Sequence, residues 1–464
     1  MRSRTASIAV VLALLNTACG ARLTIAQKQA GIDTLGGGGS AAGPGTSDGP
    51  AGGPSAGPTA GGPDGPIAGP NGPSGPNPAT SVPPGGNGGA TDTGVTPTTI
   101  TITTASDISG VQAGLFKSTH QAMQALTTMV NYEGGLYGRQ IKWIPADSKA
   151  DTVANQAAVK DACTSSFALV GSMSAFDNGG ASTGEQCGIP DLSAIAVNPS
   201  RQTAKNVYPM YPLSPDRFAI GTANYIKNTY GNDVIKHAAM LYLNAGVTKV
   251  NALQRMKAYE TVGFDWIYKQ EVQVLEANYS PFVQKMKEKG IKYVNMVANY
   301  QSIQKLLNAM EQNEYYPQVR DWDSVAYSQS FTSVGKPADG SIVFVTTAMY
   351  EELSSNPEMQ LYVKWLSRVA PGAKPDYFGF YAWSAGRLFV KVHQMVGAKI
   401  TRKKFIDALR TIHSWDGNGI HVANDVGAKI QSPCILYMEI RQSRFVRKAP
   451  ANGFMCNQGG IIRT

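Results

Sequence analysis

The 464-residue chain lacks the side-chain clusters on which most enzyme chemistry rests. Its five histidines, His120, His237, His393, His413 and His421, have no metal-ligand spacing and none sits beside a Cys or carboxylate cluster, so no metal is expected. No Walker or dinucleotide glycine pattern opens a helix after a strand, which argues against a nucleotide cofactor. Gly171-Ser-Met-Ser174 is one residue short of a nucleophile elbow, because Ala175 stands where the trailing glycine belongs. Ser333-Val-Gly-Lys336 has S-x-x-K spacing but lacks the S-D-N and K-T-G motifs of penicillin-recognising enzymes. The sequence therefore predicts no catalytic residue, no cofactor and no enzyme. Lys and Arg outnumber Asp and Glu, 41 to 32, yet no long basic block is present, which excludes nucleic acid as a partner. The densest basic run, Arg441-Gln-Ser-Arg-Phe-Val-Arg-Lys448, alternates like the exposed face of a strand. The apolar run near the N-terminus, Ile8 to Leu15, is too short to span a bilayer.

Glycine and proline, by contrast, are abundant at 50 and 27 residues, and they are concentrated. From about Gly36 to Gly94 the chain is Gly, Pro, Ala, Ser and Thr without the strict three-residue period of collagen. Residues 20–94 accordingly read as a disordered linker, whose roughly sixty Gly/Pro-rich residues would span on the order of 45 Å. Ahead of it, Met1-Arg-Ser-Arg4 and the apolar run after it have the form of a signal peptide. That run ends in Leu15-Asn-Thr-Ala-Cys19-Gly20, which resembles the lipobox of bacterial lipoproteins, with Asn16 where an aliphatic residue is usual. The resemblance implies a lipoprotein signal peptide over residues 1–19, acylation of Cys19, and a lipid-anchored place on the outer face of the cell membrane. A plain secretory signal cleaved after Ala18 is the alternative.

The remaining chain is too long for one core, since cores stop growing at roughly 250 to 300 residues. Strands are expected over Val95–Ala105, Gln140–Pro145 and Phe167–Val170, alternating with helices over Leu115–Tyr132 and Thr152–Cys163, which argues for a parallel sheet. At Gly171-Ser-Met-Ser-Ala175 a buried strand hands over to a helix, and Ile189-Pro-Asp-Leu-Ser-Ala-Ile-Ala196 repeats the handover. Unpaired N–H groups and small hydroxyls gather at such points, which suit an anion. A second series follows: a helix Phe218–Tyr230, strands His237–Tyr242, Gly263–Lys269 and Lys292–Val297, and helices Val250–Glu260, Pro281–Lys289 and Ser302–Asn313. Ile342–Thr347 is expected to return the chain to the first series, which gains helices at Pro357–Val369, Tyr377–Val396 and Arg402–Ile412. A closing hairpin is expected from Val422–Lys429 and Ile435–Phe445.

The Ile-Ser-Gly loop at Ile108–Gly110, Asn131-Tyr-Glu-Gly-Gly-Leu-Tyr-Gly-Arg139, Ala146-Asp147, Val170-Gly-Ser-Met-Ser174 and Ile189-Pro190 together resemble the type I periplasmic binding proteins. More narrowly they resemble the branched-chain amino-acid-binding (Leu/Ile/Val) branch of ABC-importer substrate-binding lipoproteins. The resemblance implies an α/β fold of two doubly wound, Rossmann-like lobes joined by three crossing segments. Lobe 1 would comprise residues 95–211 and 342–414, lobe 2 residues 212–341 and 415–464. The implied function is capture of a small polar molecule, an amino acid or a related amide or organic acid, in a hinged cleft, for delivery to the ABC permease and ATPase subunits. A ligand-sensing module reporting to a membrane signalling partner is the alternative, and a monomer is expected. By the same resemblance the ligand's carboxylate would meet Ser174 and the backbone at Ala194 and Ala196, and its ammonium Asp323, with Asn244 and Tyr300 at the second lobe's strand ends. Phe176 and Tyr327 are further aromatic candidates. Ala196 and Asn244 stand where the family often has threonine and an aromatic, which leaves amides and aromatic or sterol-derived acids open.

Apart from Cys19 there are four cysteines, which allow three pairings. Outside the cytoplasm they are expected to be oxidised. The local choice pairs Cys163 with Cys187 and Cys434 with Cys456.

Overall fold

The computed structural model describes residues 80–110 and 113–464. The signal peptide, Cys19 and most of the linker fall on residues 1–79 and lie outside the described residues. The first lobe is laid down by β1 (Thr99–Ser106), α1 (Lys117–Tyr132), β2 (Gln140–Asp147), α2 (Thr152–Ser165), β3 (Ala168–Val170), α3 (Asn178–Cys187) and β4 (Asp191–Leu192). Its strands form a parallel sheet in the order β2-β1-β3-β4. Seven of the eight residues of β1 are buried, as a parallel sheet covered on both faces requires. Helix α1 turns Ala122, Met123, Leu126, Met129 and Val130 inward, the stripe of a helix lying on a sheet. Asp151 starts α2 by accepting a hydrogen bond from the Ala154 N–H at 2.8 Å.

The second lobe follows with β5 (Arg217–Ala219), α4 (Gly221–Tyr230), β6 (Ala238–Leu243), α5 (Thr248–Glu260), β7 (Trp266–Val272), α6 (Ser280–Glu288), β8 (Tyr293–Val297), α7 (Tyr300–Gln312), β9 (Val319–Trp322) and β10 (Ile342–Val345). The chain then returns: α8 (Pro357–Val369) and α9 (Tyr377–Val396) pack on α1, and α10 (Arg402–Leu409) packs on α9. It finishes with β11 (Leu436–Arg441), β12 (Arg444–Ala449) and β13 (Ile461–Arg463). The second sheet runs β12-β11-β10-β9-β8-β6-β7, antiparallel only where β11 meets its neighbours. Disulfides join Cys163 to Cys187 and Cys434 to Cys456.

Four expectations change. Residues 80–94, expected to belong to the linker, are packed on the first lobe. Fully buried Arg139 holds them, its Nη2 donating to the Asn87 and Gly89 carbonyls (2.6 and 2.9 Å) and its Nε to that of Thr96 (2.8 Å). Buried carbonyls need donors, and a guanidinium supplies several in a fixed fork. Residues 342–345, expected to open the return to lobe 1, are a strand of the second sheet, parallel to β9. Phe218 and Ala219, expected to open a helix, belong instead to β5, which pairs with β13 from the far end of the chain. The closing hairpin is β11 and β12, not Val422–Lys429 with Ile435–Phe445. It turns at Gln442 and Ser443, both at positive φ (49° and 58°), the backbone of a tight hairpin turn without the glycine that would have announced it.

Candidate ligand-binding site

Three segments cross between the lobes, near residues 208–215, 346–349 and 420–432. The second and third pair at Thr347 and His421. The third is tied to the first by Asn424, whose Nδ2 donates to the Met210 carbonyl at 2.9 Å. Above these crossings the carboxyl ends of the two sheets face one another, the position where open α/β sheets bind ligands. There the lobes are in contact. Gly246, in the turn from β6 to α5, has φ +50°, and a Cβ on it would lie 2.9 Å from the Ala175 carbonyl oxygen of the other lobe.

A partly open cavity of about 210 Å³ lies between the lobes. The first lobe lines it with Leu115, Phe116, Met173, Ala175, Ile195 and Val197, and α9 adds Tyr377 and Phe378. The second lobe contributes Val297, Val325, Phe344 and Ile435, together with a polar stripe along α5, Thr248, Asn251, Gln254 and Arg255. Ser214, Arg217 and Phe218 close one side.

Of the residues expected at the site, Asp323 lines this cavity. Ser174 and Ala196 fall between residues that do, Met173 and Ala175, and Ile195 and Val197, and Ala194 directly precedes Ile195. Extended chain turns alternate side chains to opposite faces, so the side chains of Ser174, Ala194 and Ala196 point into the lobe and those of their neighbours into the cavity; for the two alanines the expectation concerned the backbone. The Ser174 hydroxyl donates to Asp107 Oδ1 at 2.8 Å, and the Ala194 N–H donates to the Ser172 carbonyl at 3.0 Å. Ala196 packs with Ala204 and Val207. Asn244 is exposed, and half-buried Tyr300 and Phe176 pack against the main core. Tyr327 is buried, its hydroxyl donating to Glu351 at 2.8 Å.

The two strand-to-helix handovers do hold anions, and both anions are the chain's own. Buried Asp107 accepts from the Ala175 N–H (2.8 Å), the Ala150 N–H (3.2 Å) and the hydroxyls of Ser148 and Ser174 (2.6 and 2.8 Å). Burial pushes its carboxyl above the ordinary carboxylate range, against the pull of these bonds. At the second handover Asp177 accepts from the Val197 and Asn198 N–H groups (2.8 and 3.0 Å) and from Asn198 Nδ2 (2.6 Å). Burial raises Asp177 to about 6, opposed by Arg201 and those donors.

On the second lobe the Asp323 carboxylate is likewise taken. Arg255, missed by the sequence reading, donates from Nη1 to Asp323 Oδ1 and, at 3.0 Å, to Asn295 Oδ1. Its guanidinium lies 5.5 Å from the Phe344 ring centroid and 6.0 Å from that of Phe218. Burial disfavours the Arg255 charge, but Asp323, by attraction and hydrogen bond, together with Tyr259 and Tyr293 outweighs it, so the guanidinium is held above its ordinary range. The cavity thus presents a neutralised ion pair set in an aliphatic and aromatic wall. The signal for Arg255 was present as a polar stripe at helical spacing on α5, but nothing local shows that this face meets a cleft.

A family model described as periplasmic binding protein matches residues 99–432. The chain belongs to the periplasmic binding protein family. Its fold is the type I fold of the leucine/isoleucine/valine-binding branch, as the motifs implied, and the members of this family bind solutes without chemical turnover. A possible leucine/isoleucine/valine-binding protein from Rhodopirellula baltica SH 1 superposes with a TM-score of 0.65 at 14% identity, over 76% of this chain and 96% of that one. A fatty acid ABC transporter substrate-binding protein from Thermomonospora curvata gives 0.67 at 17% identity, over 78% of this chain and 94% of its own. A solute-binding protein of an ABC transporter from R. palustris, solved in complex with 4-hydroxybenzoate, gives 0.64 at 15% identity, over 75% and 95%. No curated protein sequence matches the chain. As a family member it is a non-enzymatic, extracytoplasmic solute-binding protein.

Proposed function

We propose that the protein is the solute-binding component of an ABC importer and that its solute has a mainly apolar body. On this reading Cys19 anchors it by lipid to the outer face of the cell membrane, the Gly/Pro-rich linker lets it reach, and the loaded protein docks as a monomer on the permease and ATPase subunits. One observation carries the choice of solute: the interlobe cavity is walled by aliphatic and aromatic side chains, and Asp323, the acid on its wall, is neutralised by Arg255. The sequence pointed instead to a small polar molecule. A free amino acid would need a carboxylate cradle on one lobe and an unpaired acid on the other, and here Asp107, Asp177 and Arg255 occupy those groups. Neighbours of the same fold whose names include a fatty acid and 4-hydroxybenzoate are compatible with such a solute.

Thermal melting against a panel of medium-chain acids and alcohols, aromatic acids and α-amino acids tests the reading. A ligand that prefers the folded form raises the melting temperature, so a rise of several degrees is expected with apolar-bodied compounds and none with leucine or glutamate. A rise with α-amino acids alone would overturn it.

A further inference from the structure

The polar groups of the cavity are not evenly distributed, and their arrangement bears on which head group an apolar solute can carry. Two guanidiniums, Arg217 and Arg255, and one carboxylate, Asp323, line the cavity. Arg255 and Asp323 cancel in a buried pair with side chains 9% and 17% exposed, which leaves no free carboxylate on this wall for an ammonium group. Arg217 is in a different situation. Its Nε approaches the Ser214 hydroxyl at 3.4 Å and Asp216 Oδ1 at 3.6 Å, while Nη1 and Nη2 have no partner among the described residues. Asp216 does not line the cavity; its side chain is 67% exposed, and it also feels Arg463 on β13, so it does not cancel Arg217 alone.

Next to Arg217 the polar face of α5 begins. Gln254 Nε2 donates to the Ser214 carbonyl at 2.8 Å and to that of Arg217 at 3.4 Å, which fixes Arg217's backbone against the helix. Asn251, one turn earlier on the same face, lines the cavity with its amide unbonded among the described residues. The first lobe's lining, from Leu115, Phe116, Met173, Ile195 and Val197, is apolar, and the polar side-chain atoms on it are the hydroxyls of Tyr211 and Tyr377. The cavity is therefore amphipathic, with a cationic, hydrogen-bonding side on the second lobe and an apolar side on the first.

We infer that the solute is an amphipathic anion, an apolar body with a single carboxylate-class head, and that Arg217 with Asn251 takes the head. This rests on the apolar-solute reading and adds charge selectivity to it. An α-ammonium beside the carboxylate would have to be desolvated against the Arg255–Asp323 pair without gaining a counter-ion, whereas an alcohol would forgo the charge-assisted bond to Arg217.

The test is calorimetric titration of the protein with four ligands that share one body: decanoate, decan-1-ol, decylamine and 2-aminodecanoate. The expected order places decanoate about ten-fold or more ahead of decan-1-ol, with 2-aminodecanoate no tighter than the alcohol and decylamine weakest. In Arg217→Gln, a change at a partly exposed side chain that should fold normally, the decanoate-to-decanol ratio is expected to fall to about one to two. Equal binding of all four, tighter binding of either amine, or a ratio unchanged by Arg217→Gln overturns the head-group assignment and leaves the apolar-solute reading standing. No binding of any of the four overturns both.

Discussion

At the scale of single residues, the chain uses its own carboxylates where related geometry could serve a ligand. Asp107 and Asp177 sit on the N–H groups of the two handovers, and Asp323 sits on Arg255. A fourth acid, Asp321, lies behind the cavity wall in the second lobe, accepting from the hydroxyls of Tyr293 (2.8 Å) and Tyr437 (3.3 Å). Burial raises it from its ordinary 3.8 to about 7, with Tyr293 acting against burial and Asp323 with it. A carboxyl whose folded pKa is raised stays protonated while the unfolded chain ionises, so unfolding releases a proton between about pH 4 and pH 7. This group therefore makes the protein less stable as pH rises through that window. Asp321→Asn removes the effect while keeping an oxygen for both tyrosines. Denaturant unfolding should show the stability of Asp321→Asn relative to the native protein increasing by on the order of 4 kcal/mol from pH 4 to pH 8, at about 1.4 kcal/mol per pKa unit. A difference that does not change with pH would contradict the raised value.

At the scale of elements, closure depends on how nearly the turns of the two lobes approach. Gly246 meets the Ala175 carbonyl with no room for a side chain, and its φ of +50° is one that glycine adopts at low cost. Gly246→Ala is expected to lower stability by about 1 kcal/mol through the left-handed backbone alone. Separately, it should weaken decanoate binding by roughly ten-fold, because the lobes can no longer close fully over the solute. Titration against decanoate would read the second effect, and native-like affinity would show that this contact is not part of the closed state.

The same scale shows what could be read from the sequence. Apart from β5, the main strands and helices of residues 99–312 follow hydrophobic periodicity and were legible to within a few residues, because each is fixed by its own amphipathic pattern. What was hidden depends on distant partners or on an unmarked turn. β5 is a strand because β13 lies beside it, residues 80–94 are ordered because Arg139 reaches them, and β11 and β12 turn on Gln442 and Ser443. Of the site, the sequence indicated the handovers but not which side chains face the cavity. A cradle for a ligand's carboxylate was expected at the handovers, and the N–H groups found there, of Ala175, Val197 and Asn198, hold the chain's own Asp107 and Asp177. No single sequence states which of two alternating faces looks into a cleft.

At the scale of the whole molecule, two lobes joined by three crossing segments form a hinge, and the cavity is complete only when both lobes contribute to it. Arg447 of β12 pairs with Glu352, its Nη2 donating to Oε2 at 2.6 Å, and Tyr327 bonds Glu351, so the second lobe is tied to the segment that follows the second crossing. A solute that touches both lobes favours the closed form by its differential affinity for it.

The central claim is that an apolar-bodied solute is held between the lobes in this cavity. The most direct measurement is photolabelling of the protein with a decanoate that carries a diazirine on its chain, followed by peptide mass spectrometry. The account predicts labels on both lobes, at residues such as Met173, Ile195, Val297 and Phe344, suppressed by excess decanoate and unaffected by excess leucine. Labels confined to surface residues of one lobe, or labelling abolished by leucine, would contradict it.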